Sequence, residues 1–257
     1  MPRFAAAALL LSVAQIGLAA VPPGVPDTAA GSVSGKVFGT VTLVQAVPGR
    51  AVEMRVDGRE LHPVTHVGDV IGPVRLPSGR HVFAFASPGG SVVRSTVWLK
   101  PGSSADVVLH RPAAVRGASL VTLFPTPTKP IREGWARIQV AATATLVPTD
   151  VRVDDRVVFA NIANGESATI DVPAGRHVVA LVPAGQPAPA VLGPLRFTVA
   201  AGTVTMVYAA GGPPAGAPRA IVHTMALGQD GQAAPGDVHA GTVGLARDLP
   251  VRVFGPR

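Results

Sequence analysis

The chain has 257 residues, room for two ordinary domains, and no cysteine, which excludes disulfide staples and thiol chemistry. Hydrophobic residues make up 47% but aromatics only 4%, so a core must be built mostly from Val, Ala and Leu; 29 Gly and 26 Pro exclude helix bundles and fit short strands joined by turns. The net charge of +7 comes from 19 Arg and 3 Lys against 15 acids, spread singly, and without a basic patch or stacking aromatics it argues against a nucleic-acid partner.

Residues 1–20 read as a secretory signal peptide. Arg3 supplies positive charge, Phe4 to Leu18 is apolar apart from Ser12 and Gln15, and small residues at Gly17-Leu18-Ala19-Ala20 offer cleavage. The apolar run is short for a span needing about 20 residues, so no stable membrane span is expected after cleavage. Residues 21–38, rich in Pro, Gly, Ser and Ala, read as a disordered linker.

The first folded unit is expected over residues 39–124. Val52, Met54 and Val56 alternate with Glu53, Arg55 and Asp57, the pattern of a strand buried on one side. Asp57-Gly58 follows as a hairpin turn, because Gly accepts the positive φ such turns need. Further strands are expected near 41–44, 70–76, 80–86, 92–99, 105–109 and 118–124. Residues 125–133 (FPTPTKP and its continuation) form a stiff Pro-rich linker.

A second unit over residues 134–228 repeats the first. Asp57 maps to Asp154 at a spacing of 97, Gly79 to Gly175 at 96 and Gly102 to Gly202 at 100, with the slippage confined to turns. Asp57, Gly58, Gly79, Asp154 and Gly175 are therefore read as structural turn residues. Residues 229–257 read as a flexible tail in which 249–254 can add a short strand.

The carriers of a family resemblance lie in this order of turns. In the first unit they are Val44-Gln45-Ala46-Val47-Pro48-Gly49, Val52-Glu53-Met54-Arg55-Val56-Asp57-Gly58 and Leu76-Pro77-Ser78-Gly79. In the second they are Val151-Arg152-Val153-Asp154, Ala163-Asn164-Gly165-Glu166, Val172-Pro173-Ala174-Gly175, Val182-Pro183-Ala184-Gly185 and Val207-Tyr208-Ala209; Gly236 to Gly241 adds to them. The chain resembles the domain-of-unknown-function family numbered forty-three ninety-seven, found often in tandem in secreted and envelope proteins of bacteria. The resemblance implies fold and compartment. It brings no established activity and no catalytic residues. The chain departs from the family pattern at Gln45, at His81 and His177, where an aromatic is common, and at Asp155, where a turn Gly is usual.

Candidate chemistry is sparse. His81 and His177 each follow Gly-Arg at a strand start and share a face with Phe83 and Phe85, or Val179 and Leu181; each is read as a core-edge His satisfying one hydrogen bond. His62 and His66 have only Asp69 beside them, too few ligands for zinc. Asp57, Asp154 and Asp155 fall short of the six to eight oxygens calcium wants. Glu166 has no repeated partner, whereas a glycosidase needs two carboxyls. No G-x-S-x-G, S-x-x-K, H-E-x-x-H, Walker loop or G-x-G-x-x-G occurs. No catalytic residue, metal site or cofactor is expected.

Two tryptophans carry the recognition reading. Along 92–99, Val93, Val97 and Leu99 point inward and Arg94, Thr96 and Trp98 outward. After Gly134, Ala136, Ile138 and Val140 point inward and Trp135, Arg137 and Gln139 outward. Trp98 with Arg94 and Trp135 with Arg137 thus form the expected binding surface, suited to a sugar or a partner protein, unless interdomain packing takes them. The sequence predicts an all-β protein of two tandem immunoglobulin-like antiparallel sandwiches of about seven strands each. The expected function is an exported, non-enzymatic binding or structural module, secreted or in the cell envelope, with a cell-wall polysaccharide or a surface protein as partner. A secreted hydrolase with a site at the interdomain junction is the alternative.

Overall fold

Strict alternation in the β-branched stretches, punctuated by positive-φ turns, yields a chain with no helix among the described residues and eighteen strands. The computed structural model describes residues 37–49, 51–227, 239–243 and 252–253. The expected signal peptide, nearly all of the first linker and most of the expected tail lie outside the described residues.

The first sandwich holds β1 (Phe38–Gln45), β2 (Val52–Val56), β3 (Arg59–Thr65), β4 (Val70–Pro77), β5 (Gly79–Ala86), β6 (Val92–Leu99), β7 (Ser104–His110) and β8 (Leu120–Pro125). One sheet has the order β4-β1-β7-β8, the other β3-β2-β5-β6. The second sandwich repeats this with β9 (Trp135–Ala142), β10 (Thr149–Val153), β11 (Arg156–Ile162), β12 (Ser167–Pro173), β13 (Gly175–Pro183), β14 (Leu192–Val199), β15 (Thr203–Ala210) and β16 (Arg219–Ala226). Its sheets are β12-β9-β15-β16, which continues into β17 (His239–Val243) and β18 (Arg252–Val253), and β11-β10-β13-β14. Each copy thus has eight strands, against the seven expected, and one parallel pair among antiparallel ones: β1 with β7 and β9 with β15. Where a flexible tail was expected, β17 pairs antiparallel with β16 and β18 with β17.

Each sandwich has its own core. Val41, Leu43, Met54, Phe83, Phe85 and Val107 lead the first, and Ile138, Val151, Val179, Leu181, Leu195 and Val207 the second. A third core lies between the copies. Val44, Val108 and Phe124 from the sheet β4-β1-β7-β8 meet Val204, Met206, Tyr208, Ile221 and Met225 from the sheet containing β15 and β16. These two sheets, here called the inner sheets, are covered on both faces. The result is four layers: outer sheet, inner sheet, inner sheet, outer sheet. Lys36–Arg257 is accordingly one compact unit rather than two beads on a linker.

One polar group is sealed into the third core. Asp106 on β7 is 0% exposed, and its Oδ2 accepts from the Tyr208 hydroxyl (2.5 Å) and from His223 Nε2 (2.5 Å). The Tyr208 and His223 rings stack at 6.1 Å. Burial, with the Asp106 charge beside it, pushes the Tyr208 phenol far above its ordinary value, so it stays a donor. A buried carboxylate is tolerable only while its donors are in place.

The shared core predicts a single cooperative unfolding transition in urea for the two copies together. Asp106→Ala should cost about 3 kcal/mol or more by stranding two buried donors, and Tyr208→Phe about 1–3 kcal/mol. Two separate transitions in the wild-type chain, or an unshifted midpoint in Asp106→Ala, would contradict this account.

Candidate functional site

Each sandwich carries the same polar clamp at one corner. Asp57 and Gly58, with φ of 51° and 79°, make a two-residue turn of the mirror-image type between β2 and β3. Asp154 and Asp155, at 49° and 64°, make it between β10 and β11, Asp155 taking a left-handed conformation where Gly is usual. The left-handed turn lifts the Asp carboxylate towards the next hairpin. Asp57 Oδ1 accepts from Val82 N (2.8 Å) and Oδ2 from His81 Nδ1 (2.6 Å), while His81 Nε2 donates to the Pro77 carbonyl (2.6 Å). In the second copy Asp154 accepts from Val178 N (3.0 Å) and His177 Nδ1 (2.7 Å), and His177 Nε2 reaches the Pro173 carbonyl at 2.7 Å.

The clamp ties an outer-sheet turn to the corner where the chain leaves the inner sheet. Each His thus makes two hydrogen bonds, not the one expected, and its aspartate partner went unread. At His81 both ring nitrogens face acceptors, a carboxylate and a carbonyl, so the fully bonded ring is the imidazolium. Burial works against that charge, but the Asp57 bond, the Pro77 carbonyl and the Asp57 charge together hold the His81 pKa above its ordinary value. For Asp57, burial raises the pKa, and the bonds from Val82 and His81 outweigh it and lower it. A His–Asp pair invites comparison with a catalytic dyad. Here the nitrogen that would serve as base is occupied by main-chain oxygen in both copies, so the pair braces the fold.

Gly79 and Gly175 sit at the same corner with φ of 134° and 144°, and a Cβ on either would meet nothing within 4 Å. Their requirement is conformational, not steric.

The four residues of the expected recognition surface separate. On β6, Arg94, Thr96 and Trp98 are exposed, Trp98 at 69%, and Val97 and Leu99 are buried. Arg80 stands directly across from Trp98 on β5 and is also exposed. Neither Trp98 nor Arg94 has a polar or ring partner among the described residues. Trp135 is half-buried beneath the Arg132 guanidinium, 5.2 Å from its ring centre. Arg137 is a correction: expected on the surface, it is 2% exposed. It pairs with Asp171 through Nε (2.6 Å) and Nη2 (2.9 Å) and donates to the Lys129 carbonyl (2.5 Å), fastening the Pro-rich linker. Gln139, also expected outside, is buried too. Both do point away from the core of their own sandwich, and what covers them is the junction between the copies.

The other candidates stay apart. His66 is exposed and lies 4.0 Å from Asp69, His62 is on β3, and no cluster of three metal-ligating side chains occurs among the described residues. Glu166 accepts from Ala163 N (2.9 Å), closing its own loop. Two cavities flank the Pro48-Gly49 loop. One, of about 260 Å³, lies between the copies and has Gly211, Ala217 and Arg219 on the second-copy side; no His, Asp or Glu lines it. The other, of about 350 Å³, opens at the end of the first sandwich.

Comparison with known families agrees with the resemblance read from the sequence. Residues 39–149 match the model of a family described as a domain of unknown function (DUF4397). The matched segment runs through the first sandwich and β9 to the start of β10. A search of curated proteins returned no match.

The clamp makes two predictions. Because the folded His81 pKa lies above its ordinary 6.5, its stabilisation is complete below 6.5 and is lost as pH rises through the folded value; that of Asp57 is present above 3.8 and lost as pH falls through its lowered value. Melting temperature should therefore decline on the alkaline side in wild type and decline less in His81→Gln, measured by circular dichroism; parallel curves would remove His81 from the clamp. Gly79→Val and Gly175→Val should each cost about 1–3 kcal/mol from positive-φ strain alone, and unchanged melting of both would refute the turn geometry.

Proposed function

We propose that this is an exported, non-enzymatic β-sandwich protein of the cell envelope or extracellular space. On this reading the outward face of the sheet β3-β2-β5-β6 is its recognition surface and cell-wall polysaccharide its ligand. The observation that carries the proposal is Trp98. It is a large aromatic at 69% exposure with no ring or polar partner among the described residues, so no packing role accounts for it. In the second copy Thr198 occupies the same place, opposite Arg176 as Trp98 is opposite Arg80, so the fold does not require an indole there.

The surroundings suit a sugar. Arg80 stands across from the indole and Arg94 lies further along the same face beyond Thr96, while Val82 and Ala84 on β5 keep the surface between them low. An indole stacks on the apolar face of a pyranose, and guanidinium groups bond ring substituents and acidic groups in forks. The N-terminal pattern over residues 1–20 supports export. Against the alternative of a hydrolase at the junction stand the lining of the junction cavity and the occupied imidazoles of the two clamps.

The test is co-sedimentation of the chain without residues 1–20 with purified cell walls and soluble wall glycans, over a range of salt. Trp98→Ala should lose binding about tenfold or more, since one aromatic anchor dominates such a face. Trp135→Ala should keep most of it. Binding equal in all three proteins would overturn the assignment of this face.

A further inference from the structure

The cavity of about 350 Å³ at the end of the first sandwich has a composition that neither the core nor the Trp98 face explains. Val47, Pro48 and Val93, all half-buried, line its apolar side together with the buried Val52, Phe85 and Leu109. Arg111, Gly49 and three serines, Ser87, Ser91 and Ser119, line the rest. None of the three hydroxyls has a hydrogen-bond partner among the described residues. Arg111 spends one donor, Nη2 to the Val115 carbonyl (2.8 Å), and its remaining side-chain N–H groups bond nothing described.

Arg111 is half-buried and leaves most of its guanidinium donors open at the cavity, where a ligand can meet them. Its backbone is nonetheless fixed from two directions. The Arg111 carbonyl accepts from His110 Nδ1 (2.8 Å) within the first copy and from Asn164 Nδ2 (3.0 Å) of the second. The equivalent position in the second copy, 100 residues on as for Gly102 and Gly202, is Gly211. The sandwich therefore forms without an arginine there.

We infer that this cavity is a binding site for a small aliphatic carboxylate, its carboxyl group forked on Arg111 and its chain laid against the half-buried Val47, Pro48 and Val93. The cavity lies at the small end of the range that takes small molecules. A planar carboxylate matches the fork of a guanidinium, and the partly desolvated setting strengthens the pair. This site is independent of the Trp98 face and rests on different residues.

The experiment titrates decanoate, below its micelle concentration, into the full chain by calorimetry, with methyl NMR to locate it. Saturable binding is expected, with shifts centred on the Val47 and Val93 methyls. Arg111→Gln should weaken it about tenfold, the scale of one charge-assisted pair. Decanol should bind more weakly than decanoate, and Trp98→Ala should bind decanoate as wild type does. Absence of saturable binding, methyl shifts scattered over other regions, or undiminished affinity in Arg111→Gln would overturn the site. A short peptide with a C-terminal Leu that bound tighter than decanoate would overturn the ligand class.

Discussion

The architecture depends on one carboxylate kept from water. Asp106 sits between two sheets whose shared core is mostly aliphatic and aromatic, and Tyr208 and His223 converge on one of its oxygens. Apolar burial supplies the bulk of the attraction between the copies, but it is indifferent to register. A buried acceptor that must meet two donors is not indifferent. A slip by one residue along β15 would turn Tyr208 to the other face of its sheet and strand the acid. The Asp106 contact thus gives a reason why the two copies dock in one way, while Arg137 removes slack from the linker by holding Asp171 and the Lys129 carbonyl together.

Much of this fold is legible in the sequence, because its two strongest signals are local. Alternation in 52–57 and 151–154 marks strands, and positive-φ residues at Asp57-Gly58, Gly79 and Gly175 mark corners. Alternation, however, reports only which side of a strand faces its own partner sheet. Whether the other side meets water is a tertiary question, and that is why Arg137 and Gln139 read as surface residues and are buried. A signal for the junction does exist. Met206–Ala210, the second half of the nearly buried Thr203–Ala210, is an unbroken apolar run, the mark of a strand covered on two faces, whereas Ser104–His110 is buried along its whole length but carries Ser104, Asp106 and His110 and gives no such run. The clamp had a signal too, since Asp precedes His by 24 residues in one copy and 23 in the other. Repeated polar pairs at matched spacing are candidates for a bond even where no catalytic motif contains them.

Duplication gives the molecule an internal comparison. What both copies hold in common, the left-handed turn, the Asp–His–carbonyl clamp and the corner glycine, belongs to the fold. What differs has been free to serve other ends. Trp98 against Thr198, and Arg111 against Gly211, both separate the first copy from the second. The second copy differs in turn by supplying Tyr208 and His223 to the junction and by extending its inner sheet with β17 and β18.

Face-to-face docking of the inner sheets also decides how the protein meets an extended surface. The two outer sheets stand back to back, with their exposed faces directed opposite ways. Two faces so directed cannot rest on one flat surface together, so the repeat confers no bivalent grip on a single layer. Whatever the outer face of the second copy touches lies on the far side from whatever Trp98 touches, and four stacked sheets hold the two apart at a fixed spacing.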